Sequence, residues 1–283
     1  MRKLPKPNDN SKEVFLECIS NIRKKEFKER LELCADEIAA AVNDYDDKKN
    51  NNKLHRIRST DNIAGIVSNE EMKNLYNNKL VGKKGPGRKY YDKLIASAKN
   101  GICPICGHRE VSTLDHYLSK MKYPLFAVAL INLIPACKDC NFTKGEYEFN
   151  NEKGATIHPY YDEIDNVIWL NAKLKEEDDI VFIFEVLKPK GWNDLLYERV
   201  KNHFKIFDLN KLYSVQAAVE FEGMKRMLIK IYQRSGEEEV RNHLKECLES
   251  YEYVNLNSWK CGMYRALIES EWFYSDWLER YLE

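Results

Sequence analysis

The sequence predicts a mainly α-helical protein with a small metal-bearing core in its middle third. Apolar residues recur at helical spacing along both flanks, two Cys-x-x-Cys pairs lie between residues 103 and 140, and one β-branched, aromatic run stands apart from the helical pattern. At 283 residues, 43% apolar and 32% charged, the chain has the balance of a folded protein with room for two domains or one core with additions. No run of about 18 apolar residues occurs and MRKLPKPNDN lacks the apolar segment of a secretory signal, so the expected location is the cytoplasm and no membrane partner is expected.

Residues 11–43 place Phe15, Cys18, Ile19, Ile22, Leu31, Leu33 and Ile38 on helical spacing, which predicts one or two amphipathic helices. The polar stretch NDYDDKKNNNK at 43–53 reads as a loop. GKKGPGRK at 82–89 cannot continue a helix, and YYDKLIASAKN after it reads as a short helix leading to Cys103. A helix beginning near Cys140 follows, then an irregular link at HPYYDEIDNVIWL and a strand at IVFIFEVL, 180–187. From about residue 191 the pattern is helical. Its aromatic stripe, Trp259, Tyr264, Trp272, Phe273, Tyr274 and Trp277, reads as core rather than a base-stacking platform. The expected division is 1–88, an α-helical region; 89–160, the metal-bearing core; and 161–283, mainly α-helical.

Net charge is zero overall but uneven. Residues 1–100 carry 22 Lys+Arg against 15 Asp+Glu, whereas 161–283 carry 17 against 24. The basic half adjoins the motif region, where it suits a phosphate backbone as well as it suits an ordinary solvated surface.

Cys103-Pro-Ile-Cys106 and Cys137-Lys-Asp-Cys140 are two knuckles separated by 30 residues. Each turn aims two thiolates at one point, and together they supply the closed S₄ site that Zn²⁺ prefers. Four protein ligands leave no open position, so this zinc is expected to be structural. The other cysteines, Cys18, Cys34, Cys247 and Cys261, lie in helically patterned segments and read as buried core thiols.

Between the knuckles stand Asp115-His116 and Asn132, with Asn141 directly after the second pair. This arrangement, from Cys103 to Lys144, resembles the HNH (ββα-metal) endonucleases. The resemblance implies a small ββα-metal nuclease core carrying the Cys₄ zinc site. It also implies His116 as general base, Asp115 and Asn141 as ligands of a catalytic metal, and Asn132 as the residue that orients the His116 loop. The chemistry is coherent. An imidazole with an ordinary pKa near 6.5 is suited to take a proton from water, and a hard cation on oxygen ligands stabilises charge on a phosphodiester. Neighbours in a strand face opposite ways, so Asp115 and His116 share a site only if the strand ends or bends there.

Asn141 stands where many HNH proteins have His, which resembles the HNN variant and makes Mg²⁺ the expected catalytic metal, with Mn²⁺ as substitute. Lys120, Lys122 and Lys144 flank the site as phosphate contacts or solvated lysines, His108 follows the first knuckle, and His158 reads as a structural group or a substrate contact. The reaction implied is hydrolysis of DNA to 5′-phosphate and 3′-hydroxyl ends, DNA being favoured over RNA by the resemblance alone. The alternatives are a nuclease acting on RNA, or a non-catalytic zinc-knuckle module binding nucleic acid or protein. DHYLSKMKYP, NLIPACKDCN and IHPYYD together are similar to the nuclease subunit of Septu-type anti-phage systems. That similarity implies an ABC-type ATPase partner and a docking role for the helical C-terminal half.

Overall fold

The computed structural model describes residues 2–177 and 179–282. The chain divides into two compact units, Arg2–Glu163 and a second from Ile164 onward. The first unit therefore holds the N-terminal helices and the motif region together.

Helix α1 (Ser11–Ile19) is capped by the Asn10 side chain, which accepts from Lys12 N and Glu13 N, and it buries Val14, Phe15, Cys18 and Ile19. Helices α2 (Lys25–Leu33) and α3 (Ala35–Asn50) follow. The polar stretch expected to be a loop from residue 43 is instead the second half of α3. Composition misleads here because the helix turns its few anchoring residues inward. Tyr45 is fully buried against Phe126, with ring centroids 5.3 Å apart. One turn later, buried Lys49 pairs with Asp162 at 3.0 Å. Asp44 and Lys48 pair along the helix, and Lys48 and Lys49 in its last turn complement the dipole.

A minimal hairpin, β1 (Asn62–Ile63) with β2 (Val67–Ser68), ends on Ser68, which caps α4 (Asn69–Leu75) in a reciprocal box with Glu71. Helix α4 runs on into a π-helical turn, Tyr76–Val81, before α5 (Arg88–Ala96). Strand β3 (Thr113–His116) pairs antiparallel with β4 (Leu133–Ala136), Asp115 opposite Ile134 and His116 opposite Leu133. Helix α6 (Lys138–Lys144) packs back on β3.

In the second unit β5 (Leu170–Lys175) and β6 (Val181–Val186) form an antiparallel hairpin against α8 (Leu209–Glu252) and α9 (Trp259–Glu269), with α7 (Asp194–Ile206) alongside. Gly262 allows α9 to approach closely, since a Cβ there would lie 2.8 Å from the Phe184 ring. Gly236, at φ 78°, interrupts α8 and separates two helical patterns of the sequence. Trp259, Tyr264, Phe273, Tyr274 and Trp277 are buried as core, with Trp272 half-buried. Cys18, Cys34 and Cys261 are buried, whereas Cys247 is only half-buried. Among the described residues no helix is long and apolar enough to cross a membrane.

Candidate active site and metal centre

Cys103, Cys106, Cys137 and Cys140 form a buried cluster whose sulfurs lie within 4.8 Å of one another, in the first unit. The turns that build it are specific. Gly107 at φ 64° donates its N–H to Cys103 O at 2.8 Å, and Arg109 N and Cys140 N point at Cys106 Sγ and Cys137 Sγ, at 3.4 and 3.3 Å. Tetrahedral Zn–S bonds of about 2.3 Å require sulfur separations near 3.8 Å, so small adjustments close the cluster on an ion. Without a cation the thiols must share protons: hydrogen bonds within the cluster pull Cys106 and Cys137 below the usual thiol range and push Cys103 and Cys140 above it. Such a cluster can hold a metal ion such as zinc.

The second knuckle also starts α6. Cys137 is its N-cap residue, so the thiol cluster sets where the helix begins and therefore which residues it turns toward β3. Lys144, three residues after Asn141, is buried. Its ammonium lies 3.2 Å from Asp115 Oδ1 and donates to His116 O at 2.5 Å. Asn141 is half-buried on the same side of α6, one turn earlier, because positions i and i+3 stack.

Strand β3 ends at His116, the condition under which both residues of the pair serve one site. Asp115 and His116 are buried at 3% and 7% exposure. The chain then turns away under the control of Asn132, which is completely buried. Its Oδ1 accepts from Leu118 N at 2.8 Å, and its Nδ2 donates to Leu118 O and Phe126 O at 3.0 and 3.3 Å. This pins both ends of the loop 118–126. The loop in turn presents Ala127 O to His116 Nε2 at 2.9 Å. A carbonyl only accepts, so Nε2 carries the proton and Nδ1 is left as the basic nitrogen.

The electrostatics favour a neutral imidazole, free to accept a proton but a weaker base than the ordinary imidazole expected from the sequence. Burial pushes His116 down to about 3, with nearby Lys120 and Lys144 acting in the same direction. Burial also raises Asp115 above the usual carboxylate range, opposed by Lys144. Lys120 and Lys144 thus act on both members of the pair.

The flanking residues separate clearly. Lys122 pairs with Glu148 at 2.7 Å on the surface. Lys120 is half-buried, its ammonium 4.5 Å from the centre of the Tyr76 ring. His158 lies in a buried aromatic cluster. Its Nε2 is 3.1 Å from the Tyr45 hydroxyl, and its ring is 4.3 Å from Tyr117. His108 is half-buried on the turn after Cys106. Sequence reasoning missed Tyr76, whose ring meets the His116 ring at 4.4 Å, because it lies forty residues before His116 and outside every motif.

The chain is 28% identical over 238 residues to Protein ea31 of Escherichia phage lambda, across 78% of this chain and 79% of that protein. It is 31% identical over 142 residues to Septu protein PtuB of Bacillus thuringiensis, across 48% of this chain and 51% of that protein. No family model matches the chain, and no solved structure matches it. The distant similarity to a Septu protein agrees with the resemblance seen in its motifs.

Proposed function

We propose that the chain is a divalent-metal-dependent HNH endonuclease that hydrolyses phosphodiester bonds of DNA and acts in anti-phage defence beside an ABC-type ATPase. One observation carries the reading: a buried Asp-His pair closes a two-stranded ribbon, with the imidazole held by Ala127 O so that Nδ1 is the free base. The defence context rests on the similarity to the Septu protein.

The donor set fits a cation. Asp115 already holds a positive charge, the Lys144 ammonium, at a depth where a lone carboxylate would be costly, and Asn141 adds an amide oxygen on the same face of α6. Asp115 and Asn141 would hold Mg²⁺ or Mn²⁺, which when bound stabilises charge on the scissile phosphate and the leaving 3′ oxygen. His116 Nδ1 takes a proton from water as the water oxygen attacks phosphorus, and the P–O3′ bond breaks to leave a 5′-phosphate and a 3′ oxygen that takes a proton from solvent to become the 3′-hydroxyl. Asn132 keeps the loop that orients the imidazole. The cysteine quartet would hold zinc and fix the start of α6, and hence the position of Asn141.

Plasmid nicking by the full chain, alone and with its ATPase partner, tests the reading. Wild type should nick with Mg²⁺ or Mn²⁺ and stop in chelator, and His116→Ala should lose at least about 100-fold in rate. Melting curves show whether that variant remains folded, since it leaves Ala127 O unpaired at a cost of about 1–3 kcal/mol. Equal nicking by folded His116→Ala would overturn the proposal.

A further inference from the structure

Resting on that reading, we propose that Tyr76 is a positioning residue that holds the His116 imidazole in an edge-to-face contact and carries the Lys120 ammonium over its ring, with Lys120 as a phosphate contact. The N-terminal helices then form one wall of the active site rather than an accessory to it.

The geometry is specific. The Tyr76 and His116 rings meet edge to face, with centroids 4.4 Å apart and an interplanar angle of 67°, and Tyr76 is almost wholly buried. With Ala127 O on Nε2, this contact is a second restraint on the imidazole, against rotation about χ2. The same ring carries the Lys120 ammonium at 4.5 Å. Lys120 is half-buried and close enough to Lys73 and Asp115 to feel both charges. Lys73 is paired with Glu70, so the charges left around the histidine are Lys120 and Lys144 against Asp115, a net positive charge for an anion to neutralise, and a phosphodiester supplies it.

The backbone beneath Tyr76 is built for placement. Tyr76 opens a π-helical turn, a widened turn that re-aims side chains and recurs at functional sites. The GKKGPGRK segment clamps that turn. A Cβ at Gly82 would lie 2.4 Å from Asn78 O, and one at Gly85 2.2 Å from Lys79 O. Gly87 N donates to Lys79 O at 2.9 Å, and Arg88 Nη1 donates to Val81 O at 2.6 Å. The role of these glycines is close backbone approach, and their arginine satisfies a carbonyl the wide turn leaves open.

Three substitutions in the full chain test this, read by plasmid cleavage and by NMR of the His116 ring. Tyr76→Leu keeps apolar bulk without a ring: kcat should fall roughly 10- to 100-fold with KM little changed. The His116 ring signals should broaden or multiply as the imidazole gains freedom. Tyr76→Phe, which restores the ring, should recover most of the lost rate and the single set of signals. Lys120→Met should raise KM and flatten its dependence on salt. Unchanged kcat and unchanged His116 signals in folded Tyr76→Leu would overturn the positioning role, as would failure of Phe to recover what Leu loses. Unchanged KM in Lys120→Met would overturn the phosphate contact. Failure of the nuclease reading looks different: wild type and His116→Ala cleave alike, while the ring signals still report whether Tyr76 holds His116.

Discussion

The side chains of Lys144 and Asp115 are each only about 4% exposed, and at that depth neither charge is stable without the other. The motif named Asp115, His116, Asn132 and Asn141, and it gave no sign that Lys144 is the residue in contact with Asp115. The signal was present as a spacing: Asn141 and Lys144 are one helical turn apart, so a helix that turns one toward β3 turns both. Asn141 is the better test of the proposed metal chemistry, because its substitution alters the proposed ligand without stranding a buried charge. Asn141→Ala should weaken the catalytic metal, with activity falling and partly recovering at high Mg²⁺ or with Mn²⁺. Asn141→His offers a softer nitrogen, so cleavage should shift from Mg²⁺ toward Mn²⁺, Co²⁺ or Ni²⁺. Rates across the four metals decide it, and an unchanged order in Asn141→His removes Asn141 from the site.

At the scale of elements, periodicity located most helices and the β6 strand, whereas polar composition hid the second half of α3. Tyr45 and Lys49 are its buried positions there, and both find their partners more than 75 residues away: Phe126, His158 and Asp162. No local pattern reports such contacts. The glycine-rich loop shows the converse, since its breaker residues were legible and its clamp on the π-helical turn was not. Gly85→Ala should cost roughly 1–3 kcal/mol, because the new methyl meets backbone rather than a movable side chain. Gly223→Ala in α8, with nothing within 4 Å of the added carbon, should instead gain about 0.5–1 kcal/mol. Urea unfolding of the two variants checks the contrast. Equal effects would mean that close approach does not constrain the loop.

At the scale of the molecule, the two compact units each bury a core of their own: Phe15, Ile38, Tyr45 and Phe126 in one, Trp169, Phe182, Phe221 and Phe273 in the other. The thiol cluster belongs wholly to the first. A structural metal couples its binding to the folding of the unit that supplies the ligands, so its removal should act on one unit alone. Calorimetry of the metal-loaded chain should therefore show two transitions, and a strong zinc chelator should lower only one of them. For a unit of this size about 1 kcal/mol corresponds to roughly 2–4 °C, so loss of several kcal/mol should move that transition by about 10 °C or more. Cys103→Ser should reproduce the chelated profile without chelator, because three thiolates no longer close the site. Trp169 and Trp277, both buried in the second unit, give a fluorescence signal that should keep its midpoint throughout. If the tryptophan signal moved together with the metal-dependent transition, the two units would be folding as one, and the metal could not be assigned a role confined to the site.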